Sequence, residues 1–143
     1  MWERPEQPPA IRVTAMPAHT NMYGDIFGGW LMSQMDLAAS SVASRHARGR
    51  AVTVAVDGMS FHQAVVVGDE VSVYADLTEV GRTSMKVSVQ AWARERHEGE
   101  PALVTRAAYT FVAVGADRRP RPVPPLTGPP AEAAPPSASL ART

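Results

Sequence analysis

The chain contains no cysteine. That excludes disulfides, thiol catalysis and cysteine-based metal sites. It also lacks net charge, with 14 basic against 14 acidic residues, so no global attraction to nucleic acid is expected. Lysine is almost missing: Lys86 is the only one, and the other basic residues are arginines. No apolar run is long enough to span a bilayer, so no membrane partner is expected. Met1 to Pro9 is polar and proline-rich, without the apolar centre of a signal peptide, and a cytoplasmic location is the expectation. There is no G-x-S-x-G nucleophile elbow, no P-loop and no G-x-G-x-x-G. The four histidines, His19, His46, His62 and His97, do not stand at metal-ligand spacing, so no metal site is expected.

What remains is an ordinary globular composition. The chain has 143 residues, 45% hydrophobic and 20% charged, which suits one domain with a real core. Its centre is the stretch from Asn21 to Gly49. Leu31, Met35, Ala38, Ala39, Val42 and Ala43 recur at helical spacing and predict one buried face. Gly28 and Gly29 sit where the helix should start. Arg45, His46 and Arg48 suit its negative end, and Gly49 is expected as the left-handed cap. Asp36 is the only carboxylate between Ile26 and Val56. A buried unpaired carboxylate is costly. The pattern leaves two readings open: Asp36 faces solvent beside Ser33 and Ser40, or it serves a site.

Strands surround the helix. Ile11 to Met16 alternates and predicts a short strand before it. After it come Ala51 to Gln63, with Gly58 as a bulge or bend, Glu70 to Glu79, Ser84 to Arg96 and Ala102 to Val114. Met85, Val87, Val89, Ala91 and Ala93 should point inward, while Tyr74 and Trp92 should point outward. The later strands are expected to be joined by tight turns and to be antiparallel. The fold class is therefore α+β, one long helix against an antiparallel sheet, in the order strand-helix-strand-strand-strand-strand. A sheet with open edges predicts a homodimer. Three segments follow: a flexible arm over 1–10, a domain over 11–114, and a tail over 115–143. Eight of the 13 prolines lie in that tail, and it should be extended or disordered. Arg118, Arg119 and Arg121 at its start are either a solvated cluster or a phosphate contact.

Several separate motifs then agree. They are Met16-Pro17, Thr20-Asn21, Gly24-Asp25-Ile26-Phe27-Gly28-Gly29-Trp30 and Met32-Ser33-Gln34-Met35-Asp36. Val52-Thr53-Val54, Met59-Ser60-Phe61, Val67-Gly68-Asp69, Val80-Gly81-Arg82-Thr83-Ser84 and Phe111-Val112-Ala113-Val114 add to them. In these stretches, in register from Ile11 to Pro125, the chain resembles the hotdog-fold acyl-CoA thioesterases of the bacterial YciA type. The resemblance implies hydrolysis of acyl-CoA to a free acid and coenzyme A, with no cofactor beyond the coenzyme A of the substrate. It implies a site shared across a dimer, with Asn21 from one subunit and Asp36 from the other, and often a hexamer built as a trimer of dimers. Asp36 would activate water or attack directly. Backbone N–H groups of Gly28 and Gly29 would polarise the thioester carbonyl. Arg82, in the turn with Thr83 and Ser84, is the expected phosphate contact, with Arg48, Arg50 and Lys86 behind it. Met59 and Phe61 would line the channel. Two alternatives stand beside this. One is a hotdog dehydratase or hydratase of 3-hydroxyacyl thioesters, pairing His19 with Asp36. The other is a non-catalytic acyl-CoA sensor.

Overall fold

The computed structural model describes residues 3–126. It contains β1 (Ile11–Thr14), a 3₁₀ turn (Pro17–His19), α1 (Gly28–Ala47), β2 (Ala51–Phe61), β3 (Glu70–Val80), β4 (Ser84–Arg94) and β5 (Ala102–Ala113). All strand pairs are antiparallel, in the spatial order β1-β3-β4-β5-β2. The helix lies against one face, in the hotdog arrangement. Consecutive strands pair at β3-β4-β5, as tight turns predict. β2 does not pair with β3: it lies at the far edge, beside β5, and residues 62–69 carry the chain back across. The expectation that all four later strands are joined by tight turns is corrected at that step.

The helix meets the sheet through Leu31, Met35, Ala38, Ala39, Ala43 and Ala47, all buried. Its alanines let the backbone approach closely. Val42, expected in that set, is only partly buried at its margin. Opposite stand Val71, Val73, Met85, Val87, Val89, Ala91, Tyr109 and Phe111. The inward set expected on β4 is buried throughout. Burying each large apolar side chain of this layer contributes about 1.5–3 kcal/mol. Gly58 takes φ +72° where the β2–β5 register slips between Asp57 and Ser60, so the expected bulge is there.

Three local expectations change. The left-handed residue ending α1 is Arg48 (φ 57°, ψ 41°), not Gly49. Arg48 N–H donates to Arg45 O and Gly49 N–H to Ser44 O, which closes the helix. Gly49 supplies room instead: a Cβ there would lie 2.6 Å from Arg121 Nη2. Tyr74 and Trp92 are buried although they sit on the outer phase of their strands. The N-terminal arm lies beside Tyr74, with Ala10 N–H donating to Val73 O and the Gln7 amide to both Asp76 carboxylate oxygens. Trp92 Nε1–H is satisfied by Gln90 Oε1. The start of the expected tail also returns to the domain. Arg121 N–H donates to Ala113 O, Val123 N–H to Arg82 O, and His46 Nε2–H to Pro124 O. Residues 127–143 lie outside the described residues. Among those described, no helix is long and apolar enough to cross a membrane.

Candidate active site

Asp36 sits two turns into α1, on the flank facing β2. It is partly buried, which decides between the two readings of the helix pattern: the side chain is neither in the core nor free in solvent. Thr53 Oγ1–H, from β2, donates to Asp36 Oδ1 at 2.6 Å. A shallow depression of about 220 Å³ opens there, lined by Met32, Ser33, Asp36, Thr53, Val56 and Tyr109. Tyr109 comes from β5, and its hydroxyl donates to Met32 O at 2.9 Å. In an α-helix that carbonyl also accepts the N–H of residue 36. Two strands thus fix the acid, one at its side chain and one at its helical turn. Burial first, then the nearby Asp36 carboxylate, pushes the Tyr109 phenol up to about 12. It therefore keeps its proton, and its hydrogen bond, at ordinary pH.

Asn21 lies in the loop before the helix and is partly buried. Its Oδ1 accepts from Tyr23 N–H at 2.8 Å and Asp25 N–H at 3.1 Å. Its own N–H donates to Asp25 O at 2.7 Å. The side-chain oxygen is thus spent on shaping the loop, and the Nδ2 donors remain free among the described residues.

The helix starts with Phe27 as its cap and no side-chain cap bond. Trp30 and Leu31 N–H both turn to Phe27 O. The N–H groups of Gly28 and Gly29 have no partner among the described residues, as a helix start dictates. The Phe61 ring lies across Gly28: a Cβ there would be 3.3 Å from Phe61 Cζ. At Gly29 nothing would lie within 4 Å.

The expected site residues therefore fall into separate groups within one protomer. Gly28 and Phe61 meet at the helix start. Eight helical residues separate Gly28 from Asp36, about 12 Å of rise. Arg82, Thr83 and Ser84 sit at the other end of the sheet. Ser84 pairs with Val112 and Phe61 with Thr105, seven residues or roughly 23 Å apart along β5. Met59 packs against the core margin. His19 does not pair with Asp36 in this chain. Its ring stacks on Trp30 with centroids 4.7 Å apart, and Nδ1 accepts from Met16 N–H. Sequence reasoning gave no role to Thr53 or Tyr109. Their only signal was a hydroxyl among apolar neighbours in Val52-Thr53-Val54 and in the alternating strand that carries Tyr109 and Phe111.

One long helix lying against a five-stranded antiparallel sheet is the architecture of a hotdog protein. The chain belongs to the thioesterase superfamily, whose family model matches residues 23–100, more than half of its length. It is 57% identical over 122 residues to an uncharacterized acyl-CoA thioester hydrolase of Zymomonas mobilis, covering 85% of this chain and 82% of that one. It is 44% identical over 117 residues to the acyl-CoA thioester hydrolase YciA of Escherichia coli, covering 80% and 89%. Among solved structures, the hexameric thioesterase y2039 of Yersinia pestis superposes with a TM-score of 0.80 at 43% identity, covering 87% of this chain and 100% of that one.

Proposed function

We propose that this protein hydrolyses acyl-CoA to a free carboxylic acid and coenzyme A, with Asp36 as the reacting acid. The observation that carries this is the Asp36 carboxylate at the mouth of a depression, with Oδ1 held by Thr53. Its Oδ2 is left for water. Asp36 takes a proton as the water oxygen bonds to the thioester carbon. The carbonyl oxygen becomes an oxyanion, received by the free N–H groups of Gly28 and Gly29 and by Asn21 Nδ2. Collapse breaks the C–S bond, and the proton on Asp36 passes to the departing thiolate. The same carboxylate can attack first, with the resulting anhydride then hydrolysed; both routes need Asp36 unblocked at Oδ2. Water is the co-substrate, and no cofactor enters.

The distances favour a site shared between two copies. One thioester cannot touch both Asp36 and the N–H groups at the start of the same helix, about 12 Å away along its axis. A second copy running antiparallel beside it would bring its own Asn21, Gly28 and Gly29 to Asp36. The surface suits this: Leu37 is 59% exposed on α1 and Val54 55% exposed on β2. β2 is an 11-residue edge strand with its outer side unpaired in this chain, a liability that pairing with a second copy removes. A hexamer, as named for the Yersinia pestis protein, is the expected higher assembly. Phe61 and Met59 would flank the incoming pantetheine or acyl chain. Arg82, exposed and unpaired among the described residues, would meet a phosphate beside Thr83 and Ser84.

Free-thiol release from a panel of short to long acyl-CoAs tests the proposal. Asp36→Asn should cut turnover by about 10³-fold with assembly unchanged. Binding of acyl-CoA without turnover by the unmodified protein would select the sensor instead. The dehydratase alternative loses support from the His19 ring, which is committed to Trp30 and Met16.

A further inference from the structure

Pro120 to Pro125 lies in the expected tail, yet it is docked on the domain, and its sequence explains how. Four of these six residues are proline, so only Arg121 and Val123 keep a backbone N–H. Arg121, Val123 and Pro124 each precede a proline, which confines them to extended backbone. The stretch is therefore pre-set as an extended strap, and docking it costs little conformational entropy.

Both remaining donors are used, on two different elements. Arg121 N–H donates to Ala113 O at the end of β5 at 2.9 Å, and Val123 N–H to Arg82 O in the β3–β4 turn at 3.0 Å. Pro120 bridges back to Val114, and Arg121 Nε–H donates to Val114 O at 3.1 Å. The Val123 side chain packs against the core margin. Pro124 O accepts from His46 Nε2–H, in the last turn of α1, at 2.7 Å. The strap thus ties the helix end to the β3–β4 turn. That turn is held from both sides, because Thr83 O accepts from Ala113 N–H at 2.9 Å and Gly81 N–H closes on Ser84 O at 2.8 Å. Carbonyls of two successive residues, Arg82 and Thr83, are fixed, while the Arg82 guanidinium is exposed and without a partner among the described residues.

We propose that this strap positions Arg82 for the substrate. Val123 and His46 are positioning residues that act through the turn, and the proline spacing makes the strap stiff enough for that task. The proposal rests on acyl-CoA as the substrate, whose phosphates Arg82 would meet. A side chain that leaves a fixed turn loses less freedom on binding, so the benefit falls on affinity and not on the chemical step.

The test is calorimetric titration of the full chain with coenzyme A, which reads binding without hydrolysis. Arg82→Ala should weaken binding about tenfold or more. Val123→Pro keeps the extended preference but removes the donor to Arg82 O, and should weaken binding about tenfold. Val123→Ile keeps the donor and the apolar side chain and should restore it. His46→Ala frees the far end of the strap and should act in the same direction as Val123→Pro. In an Arg82→Ala background, Val123→Pro should add almost nothing, which a general structural defect would not give. In turnover, Val123→Pro should move KM for acyl-CoA more than kcat. Binding unaffected by Val123→Pro, or an equal further loss in the Arg82→Ala background, would overturn the proposal. Binding unchanged by Arg82→Ala would overturn it too, by removing the contact that the strap serves. The expected binding pattern without any thiol release would retire the hydrolase reading and leave the strap's role standing.

Discussion

Thr53 and Tyr109 restrain Asp36 from two different strands, and the two restraints should be separable by substitution. The Thr53 bond goes to a carboxylate, so its loss costs about 1.5 kcal/mol or more at the proposed reacting group. Thr53→Val should lower kcat roughly tenfold with little change in KM, and Thr53→Ser should retain most of the rate. In an Asp36→Asn background, Thr53→Val should add almost nothing, since the two act as one unit. Tyr109 acts through the helix. Its phenol is raised from 10.0 to about 12, so its neutral form contributes stability that is fully present below pH 10 and is lost as pH rises towards 12. Tyr109→Phe should remove that part of the alkaline loss in denaturant melts. Thr105 is the contrasting hydroxyl: fully buried, with Oγ1 unpartnered among the described residues. Thr105→Val should leave stability unchanged or raise it by up to about 1 kcal/mol in urea unfolding.

At the level of the elements, α1 was legible because its spacing, its paired glycines and its basic end all agree. Its last residue was not. Gly49 looks like the left-handed cap, but the chain turns one residue earlier and uses Gly49 for clearance beside Arg121. The inward face of β4 could be read from strict alternation. The edge position of β2 could not, because adjacency in sequence says nothing about which strand fills the far side of β5. Thr53's role depends on that placement, which is why it went unseen. Tyr74 failed for a related reason: the arm beside it is proline-rich and has no period to read. The helix start offers a clean test of the glycine pair. Gly28→Ala puts a methyl against Phe61 and should displace that ring. Gly29→Ala meets nothing within 4 Å and should fold at least as stably as the parent. Loss of kcat in Gly29→Ala with unchanged melting would then report crowding of the substrate carbonyl, as the oxyanion role requires.

In the whole molecule, the helix start of one chain lies about 12 Å from its own acid along the helix axis, so the proposed site calls for a second copy. Leu37, next to that acid on α1, and Val54, next to Thr53 on β2, are exposed apolar side chains. The shared site and the dimer are thus one claim. Val54→Asp should shift the assembly towards monomers in light scattering and take activity with it. The most direct measurement mixes two inactive chains, Asn21→Ala and Asp36→Ala, under conditions that let subunits exchange. Each mixed dimer would hold one site with both residues intact and one with neither, so thiol release should return in part as heterodimers form. No recovery, with heterodimers confirmed by mass spectrometry, would contradict a site built from two chains.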